Sequence, residues 1–109
     1  MSAEDRLTTG RAIEMLDRAS AATFVRLFER GSMSVEIYRP RKLDLQTPHD
    51  QDELYVVISG SGVFVKDGVS QPFEPGEVLF VGARVPHRFE DFSDDFATWV
   101  IFYGPRGGE

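Results

Sequence analysis

The chain has two histidines, His49 and His87, and each stands among residues able to bind a metal. The first segment reads Pro48-His49-Asp50-Gln51-Asp52-Glu53-Leu54-Tyr55-Val56-Val57-Ile58-Ser59-Gly60. The second reads Pro75-Gly76-Glu77-Val78-Leu79-Phe80-Val81-Gly82-Ala83-Arg84-Val85-Pro86-His87-Arg88-Phe89. Imidazole nitrogen and carboxylate oxygen are ligands for borderline divalent cations. His49, Glu53 and His87 would form a two-histidine, one-carboxylate set, which leaves positions on the metal for water, substrate or dioxygen. The competing reading gives both histidines a hydrogen-bonding role in a polar cavity that holds no metal.

Along a strand, alternate side chains share a face. Thr47, His49, Gln51, Glu53, Tyr55 and Val57 have one parity, so an extended segment points His49 and Glu53 the same way. Gln51 could add an amide oxygen to the set, although that is a weak donor for such metals. Tyr55, one strand step beyond Glu53, is the candidate pocket residue. Tyr38, Phe89, Trp99 and Phe102 are further candidates, but aromatics in a small β fold are more often plain core. Arg26, Arg39 and Arg88 could meet an anionic substrate, yet a lone arginine is usually on the surface.

The elements that must position these residues are mostly strands. A polar arm over residues 1–9 precedes a short helix over 10–19, with Thr9 as its cap and Ala12, Ile13, Met15 and Leu16 at helical spacing. From Phe24 onward, short apolar or alternating runs are separated by turn residues. The runs are Phe24–Phe28, Ser34–Tyr38, Leu43–Leu45, Leu54–Ile58, Val63–Val65, Val69–Phe73, Val78–Val81, Val85–Phe89 and Phe96–Tyr103. Lys66-Asp67-Gly68 is a tight-hairpin signal. About nine strands at regular spacing, with no helix–strand alternation, predict an all-β sandwich or barrel. The chain reads as a single domain, with the arm and helix over 1–20, the barrel over 22–104 and a flexible tail over 105–109.

Bulk composition narrows the function. A chain of 109 residues makes one domain, and 41% hydrophobic residues suit a globular core. Eighteen acidic residues against 12 basic ones give a net charge of −6, which argues against a general nucleic-acid binder. No apolar run approaches the roughly 20 residues of a membrane helix, and no secretory signal is visible at the N-terminus. The absence of cysteine excludes disulfides and thiolate ligands and suits the cytoplasm.

The two histidine segments resemble the two sequence motifs of the cupin superfamily, over roughly Thr47 to Asp91. In the family's first motif, two histidines one residue apart are followed, after three or four residues, by a glutamate and, after six more residues, by a glycine. Here His49 takes the second histidine position, with Glu53 and Gly60 following at the family's spacing. Gly76 and His87 match the glycine and histidine of the second motif. Thr47 stands where the family usually has its first histidine, Gly82 and Arg84 replace a proline and a glycine, and Asp91 replaces a common asparagine.

The resemblance implies a double-stranded β-helix, or jelly roll, with a short N-terminal helix. It implies one divalent metal (Fe, Mn, Ni, Zn, Co or Cu) at His49, Glu53 and His87, acting on a small organic molecule. A dioxygenase, isomerase or decarboxylase type of reaction would suit such a site, and a non-catalytic binder of a metabolite or metal is the alternative. The partners expected are a small-molecule ligand and, because a small open barrel leaves strand edges to cover, a second copy of the chain.

Overall fold

The computed structural model describes residues 6–19, 21–44 and 46–109. One helix, α1 (Thr9–Arg18), leads into eight strands: β1 (Phe24–Arg30), β2 (Met33–Tyr38), β3 (Asp52–Ser59), β4 (Gly62–Lys66), β5 (Val69–Phe73), β6 (Val78–Val81), β7 (His87–Glu90) and β8 (Ala97–Tyr103). They form a five-stranded sheet, ordered β1-β2-β8-β3-β6, and a three-stranded sheet, ordered β5-β4-β7. All pairings are antiparallel. This is the all-β jelly roll with a short N-terminal helix that the strand pattern and motifs predict.

Alternation decides what faces inward. Tyr55 and Val57 of β3, Val81 of β6, Val100 and Phe102 of β8, Phe64 of β4, Phe73 of β5 and Phe89 of β7 are buried together with Phe96 in the core between the sheets. Glu53 shares the parity of Tyr55 and Val57 and is fully buried with them. On the opposite face of the large sheet, Ile37 packs with Ala12 and Leu16 of α1, flanked by Val25, Ile58 and Trp99. Trp99, a pocket candidate by sequence, therefore belongs to the helix-packing layer. No described helix is long and apolar enough to cross a membrane.

The turns follow backbone chemistry. Asp67 and Gly68 have φ of 50° and 81°, the left-handed pair that matches strand twist in a two-residue hairpin. Gly60 has φ +85°, and a Cβ there would lie 2.6 Å from the Phe96 Cα. Gly76 also has positive φ, +88°, but a Cβ would meet nothing within 4 Å. The two motif glycines therefore serve different needs, close backbone approach at Gly60 and turn conformation alone at Gly76.

Two details differ from the sequence reading. The helix is capped by Thr8, whose hydroxyl accepts the Arg11 N–H at 3.2 Å, so the helix starts at Thr9. The expected strand around Leu43 is reduced to a single bridge between Arg41 and Leu43, because Lys42 turns the chain with φ 63°; Leu45 lies outside the described residues. The C-terminal segment runs back over the first motif. The Gly107 N–H donates to the Asp50 carbonyl at 2.6 Å, and the Glu109 N–H donates to Asp52 Oδ2 at 3.1 Å.

The glycine contrast gives a stability prediction. Left-handed backbone costs an L-residue about 1–2 kcal/mol, and an unrelieved steric clash adds about 1–3 kcal/mol. Gly60→Ala should therefore destabilise the fold by at least about 1 kcal/mol more than Gly76→Ala in urea unfolding. Equal effects would mean that β3 and the Phe96 segment do not approach as closely as described.

Candidate metal centre

Three side chains converge from two elements and one loop. Glu53 points inward from the second residue of β3, and His87 is the first residue of β7. His49 lies in the loop before β3, which is anchored where the Arg84 N–H donates to the His49 carbonyl at 2.6 Å. One ligand atom from each of the three residues lies within 4.8 Å of the others. Parity does not bring His49 here, since β3 begins only at Asp52. Its ring is instead held edge-on against Phe102, with centroids 4.8 Å apart and planes at 67°. Phe102 is the register partner of Glu53 on β8, so one strand pair sets both the carboxylate and the support for the imidazole.

The protonation pattern of the site is unusual. The His87 Nδ1–H donates to the Val85 carbonyl at 2.8 Å, which turns Nε2 toward Glu53. That nitrogen stands 2.9 Å from Glu53 Oε1 and 3.0 Å from the Tyr55 hydroxyl. The Glu53 contact has the length of an ion pair, yet neither carboxylate oxygen accepts a directed hydrogen bond, and both are buried. A buried carboxylate without aligned donors costs several kcal/mol unless a cation compensates it. Burial works against a charge on His87, but the Glu53 carboxylate, the Val85 carbonyl and the Asp44 charge outweigh it and raise its pKa above 6.5. Burial, and next the nearby Glu53 charge, push the Tyr55 phenol well above 10, so it stays protonated. His49, Glu53 and His87 would hold a divalent ion, which would compensate the unpartnered carboxylate oxygens, and the residues fit one.

A cavity of about 550 Å³ opens in front of His49. Its wall includes Tyr38, Val100 and Phe102, with Arg26, Glu36, Arg41, Gln46 and Thr47 as polar groups and Phe24 and Leu43 as an apolar lip. Glu53 and His87 do not line it, and their side chains are sealed from solvent. Tyr38, Phe102 and Arg26 line the cavity. Tyr55 and Phe89 are core residues, and the Tyr55 hydroxyl lies 3.0 Å from His87 Nε2. Gln51 takes no part in the cluster. Its amide donates to the Ser32 and Gly104 carbonyls at 2.8 and 2.9 Å, because the turn before β3 directs it outward. Arg39 pairs with Asp17 at 2.9 Å and Arg88 with Glu90, both outside the cavity. Sequence parity missed Asp44, Gln46 and Arg41, which lie on an irregular segment where no period applies.

The cupin domain family matches residues 34–103, and the chain belongs to that family. It is 32% identical over 90 residues to an uncharacterised protein of Streptomyces coelicolor, covering 81% of this chain and 86% of that one. A solved structure of DMSP lyases superposes with a TM-score of 0.64 at 26% identity, covering 76% of this chain and 47% of that one. An HTH-type transcriptional activator, RhaS of Mannheimia succiniciproducens, is 32% identical over 62 residues, 57% of this chain and 23% of the activator. The chain thus spans less than half of the lyase chain and about a quarter of the activator.

Two predictions follow from the geometry. Because the folded-state pKa of His87 is raised, its protonation stabilises the metal-free fold fully below pH 6.5, and that contribution is lost as pH rises through the raised value. In chelator, thermal stability should fall across that window, and His87→Gln should flatten the dependence. Metal must displace the same proton, so wild-type metal affinity should rise with pH over the same interval. Thr47 faces the cavity one residue from Pro48 and two from His49. Thr47→His should tighten binding of the same metal at least about tenfold, imidazole being a strong donor. Unchanged affinity would show that this side chain does not reach the three donors.

Proposed function

We propose that the protein binds one divalent metal at His49, Glu53 and His87 and uses it on a small organic molecule held in the adjoining cavity. The observation that carries this reading is the buried Glu53 carboxylate, whose two oxygens lack a directed donor while two imidazoles face it. When bound, the ion would supply Lewis acidity, a template for the substrate or a site for dioxygen. The chain's own residues do the rest. His87 is fixed in one orientation by the Val85 carbonyl. The Tyr55 phenol holds a proton beside the donors, and the Phe64 and Phe89 rings pack around it and keep water from that side. The apolar lip of Phe24 and Leu43 suits the body of a ligand. Arg26 is matched by Glu36 at 2.9 Å, whereas Arg41 has no carboxylate partner among the described residues, which favours a molecule with an anionic group. Oxidation by dioxygen, isomerisation and decarboxylation are the reaction types this site would support, and similarity to a DMSP lyase structure is consistent with an enzymatic role.

A second reading is favoured by the similarity to a transcriptional activator. In it the same cavity holds a metabolite or metal and reports its presence without turnover.

The test begins with elemental analysis of protein purified without a histidine tag, for wild type, His49→Ala and His87→Ala. Metal should be present in the wild type and lost from both variants while their circular dichroism stays native. The anaerobically loaded iron(II) form should then consume oxygen with a compound from a panel of catechols, hydroxy acids and keto acids. Full metal occupancy in His87→Ala would sink the site. Ligand binding away from the metal, without oxygen uptake above the metal-free control, would replace the enzyme by the binder.

A further inference from the structure

Gln46, in the loop before β3, has its side-chain oxygen 3.4 Å from His49 Nε2 and 3.0 Å from the Tyr55 hydroxyl. That hydroxyl is 3.0 Å from His87 Nε2. Metal–donor bonds of roughly 2.0–2.1 Å place neighbouring donors roughly 3.0–3.4 Å apart. The Gln46 oxygen therefore stands from His49 at the spacing of two ligands on one ion.

The amide is oriented for this. Gln46 Nε2 donates to Asp44 Oδ2 at 2.7 Å. A carboxylate only accepts, so the nitrogen faces Asp44 and the oxygen faces the histidines. Asp44 is itself held by three further donors, the Tyr38 hydroxyl at 2.5 Å, the Gln46 N–H at 3.1 Å and the Phe89 N–H at 2.8 Å. It thereby ties the loop to β2 on one side and β7 on the other. A carboxylate that aims a neighbouring side chain at a cation site is the usual partner of a metal ligand. With the Tyr55 proton directed at the same oxygen, Gln46 already acts there as an acceptor.

We propose that Gln46 supplies a fourth, neutral oxygen donor to the ion bound by His49, Glu53 and His87, and that Asp44 positions it. This rests on the metal-binding reading above. It places the fourth donor next to Thr47, where an imidazole is missing, and on an amide other than Gln51.

Cobalt(II) titration of the full chain tests it, with affinity and the visible spectrum of the bound ion as readouts. Gln46→Ala should weaken binding about 10- to 100-fold and change the cobalt spectrum, whereas Gln46→Glu should retain or tighten it. Tyr55→Phe removes the hydrogen bond to Gln46 and sets the reference affinity for the next comparison. The decisive comparison is Gln46→Ala in the Tyr55→Phe background. The same loss there supports direct ligation, and its disappearance shows that Gln46 acts only through Tyr55 and overturns the proposal. An unchanged spectrum and affinity in Gln46→Ala overturns it too. Circular dichroism of the metal-free variants controls for folding, and Gln46→Met, close in volume, replaces Gln46→Ala if that variant unfolds. If the wild type binds no cobalt, the metal-binding reading fails as a whole; if it binds through the histidines but ignores Gln46, only this inference fails.

Discussion

A carboxylate buried without aligned hydrogen-bond donors is the constraint around which this protein is organised. Glu53 sits on the inner face of a central strand, among Tyr55, Val57 and Phe102, where an uncompensated charge would destabilise the fold by several kcal/mol. The sheet cannot move it outward, because a one-residue shift of β3 would expose Tyr55 and Val57 together with it. The charge has to be met where it lies. His87 can meet it as an imidazolium in the metal-free protein, and a divalent ion can meet it when the imidazole is neutral. The site could thus set either a proton or a metal against one carboxylate.

The surrounding elements fix the geometry of these groups. β7 begins at His87, so the ring enters at the strand end, where the Val85 carbonyl can take its Nδ1 proton. Phe102 stands opposite Glu53 and props His49. Gly60 lets the end of β3 pass against the Phe96 backbone, which brings the strands carrying the two motifs around one core. Asp52, beside Glu53 but of opposite parity, accepts the Ala83 N–H at 2.8 Å and the Glu109 N–H at 3.1 Å. It thereby joins the first motif, the second motif and the C-terminal segment by one side chain.

Strands and inward-facing residues were legible in the sequence because their period is short and regular. Glu53, Tyr55 and Val57 alternate, and the structure buries all three. The histidines were legible because they are few and lie at family spacing. The irregular segment between β2 and β3 was not. There the parity argument assigned Gln51 to the cluster, while the chain turns before Asp52 and sends it to the Ser32 and Gly104 carbonyls. Asp44 and Gln46 carry no periodic signal at all. Their placement depends on long-range partners, Phe89 among them, that a local reading of the chain does not bring near. The cap at Thr8 rather than Thr9 shows the same limit on a smaller scale, since two adjacent threonines offer equal chemistry and only backbone geometry separates them.

The cavity adds a directional argument. The side chains of Glu53 and His87 are sealed from solvent, and His49 is the one member of the cluster on the cavity surface. Within this cavity, His49 is the member of the cluster that a small molecule would meet, with Phe102 and Tyr38 also on the wall. The Tyr38 hydroxyl is already engaged with Asp44, and that contact, after burial, raises its pKa, so the ring offers such a molecule an apolar edge and no free proton. Polar contacts for a ligand would then come from other lining groups, Arg41, Gln46 and Thr47 among them. A ligand with its charged group toward Arg41 and its apolar body against Phe24 and Leu43 would suit this lining. Glu53 and His87 are thus covered by the two sheets while His49 is left to line the cavity, so the cluster joins the dry core to a space that could admit a small molecule.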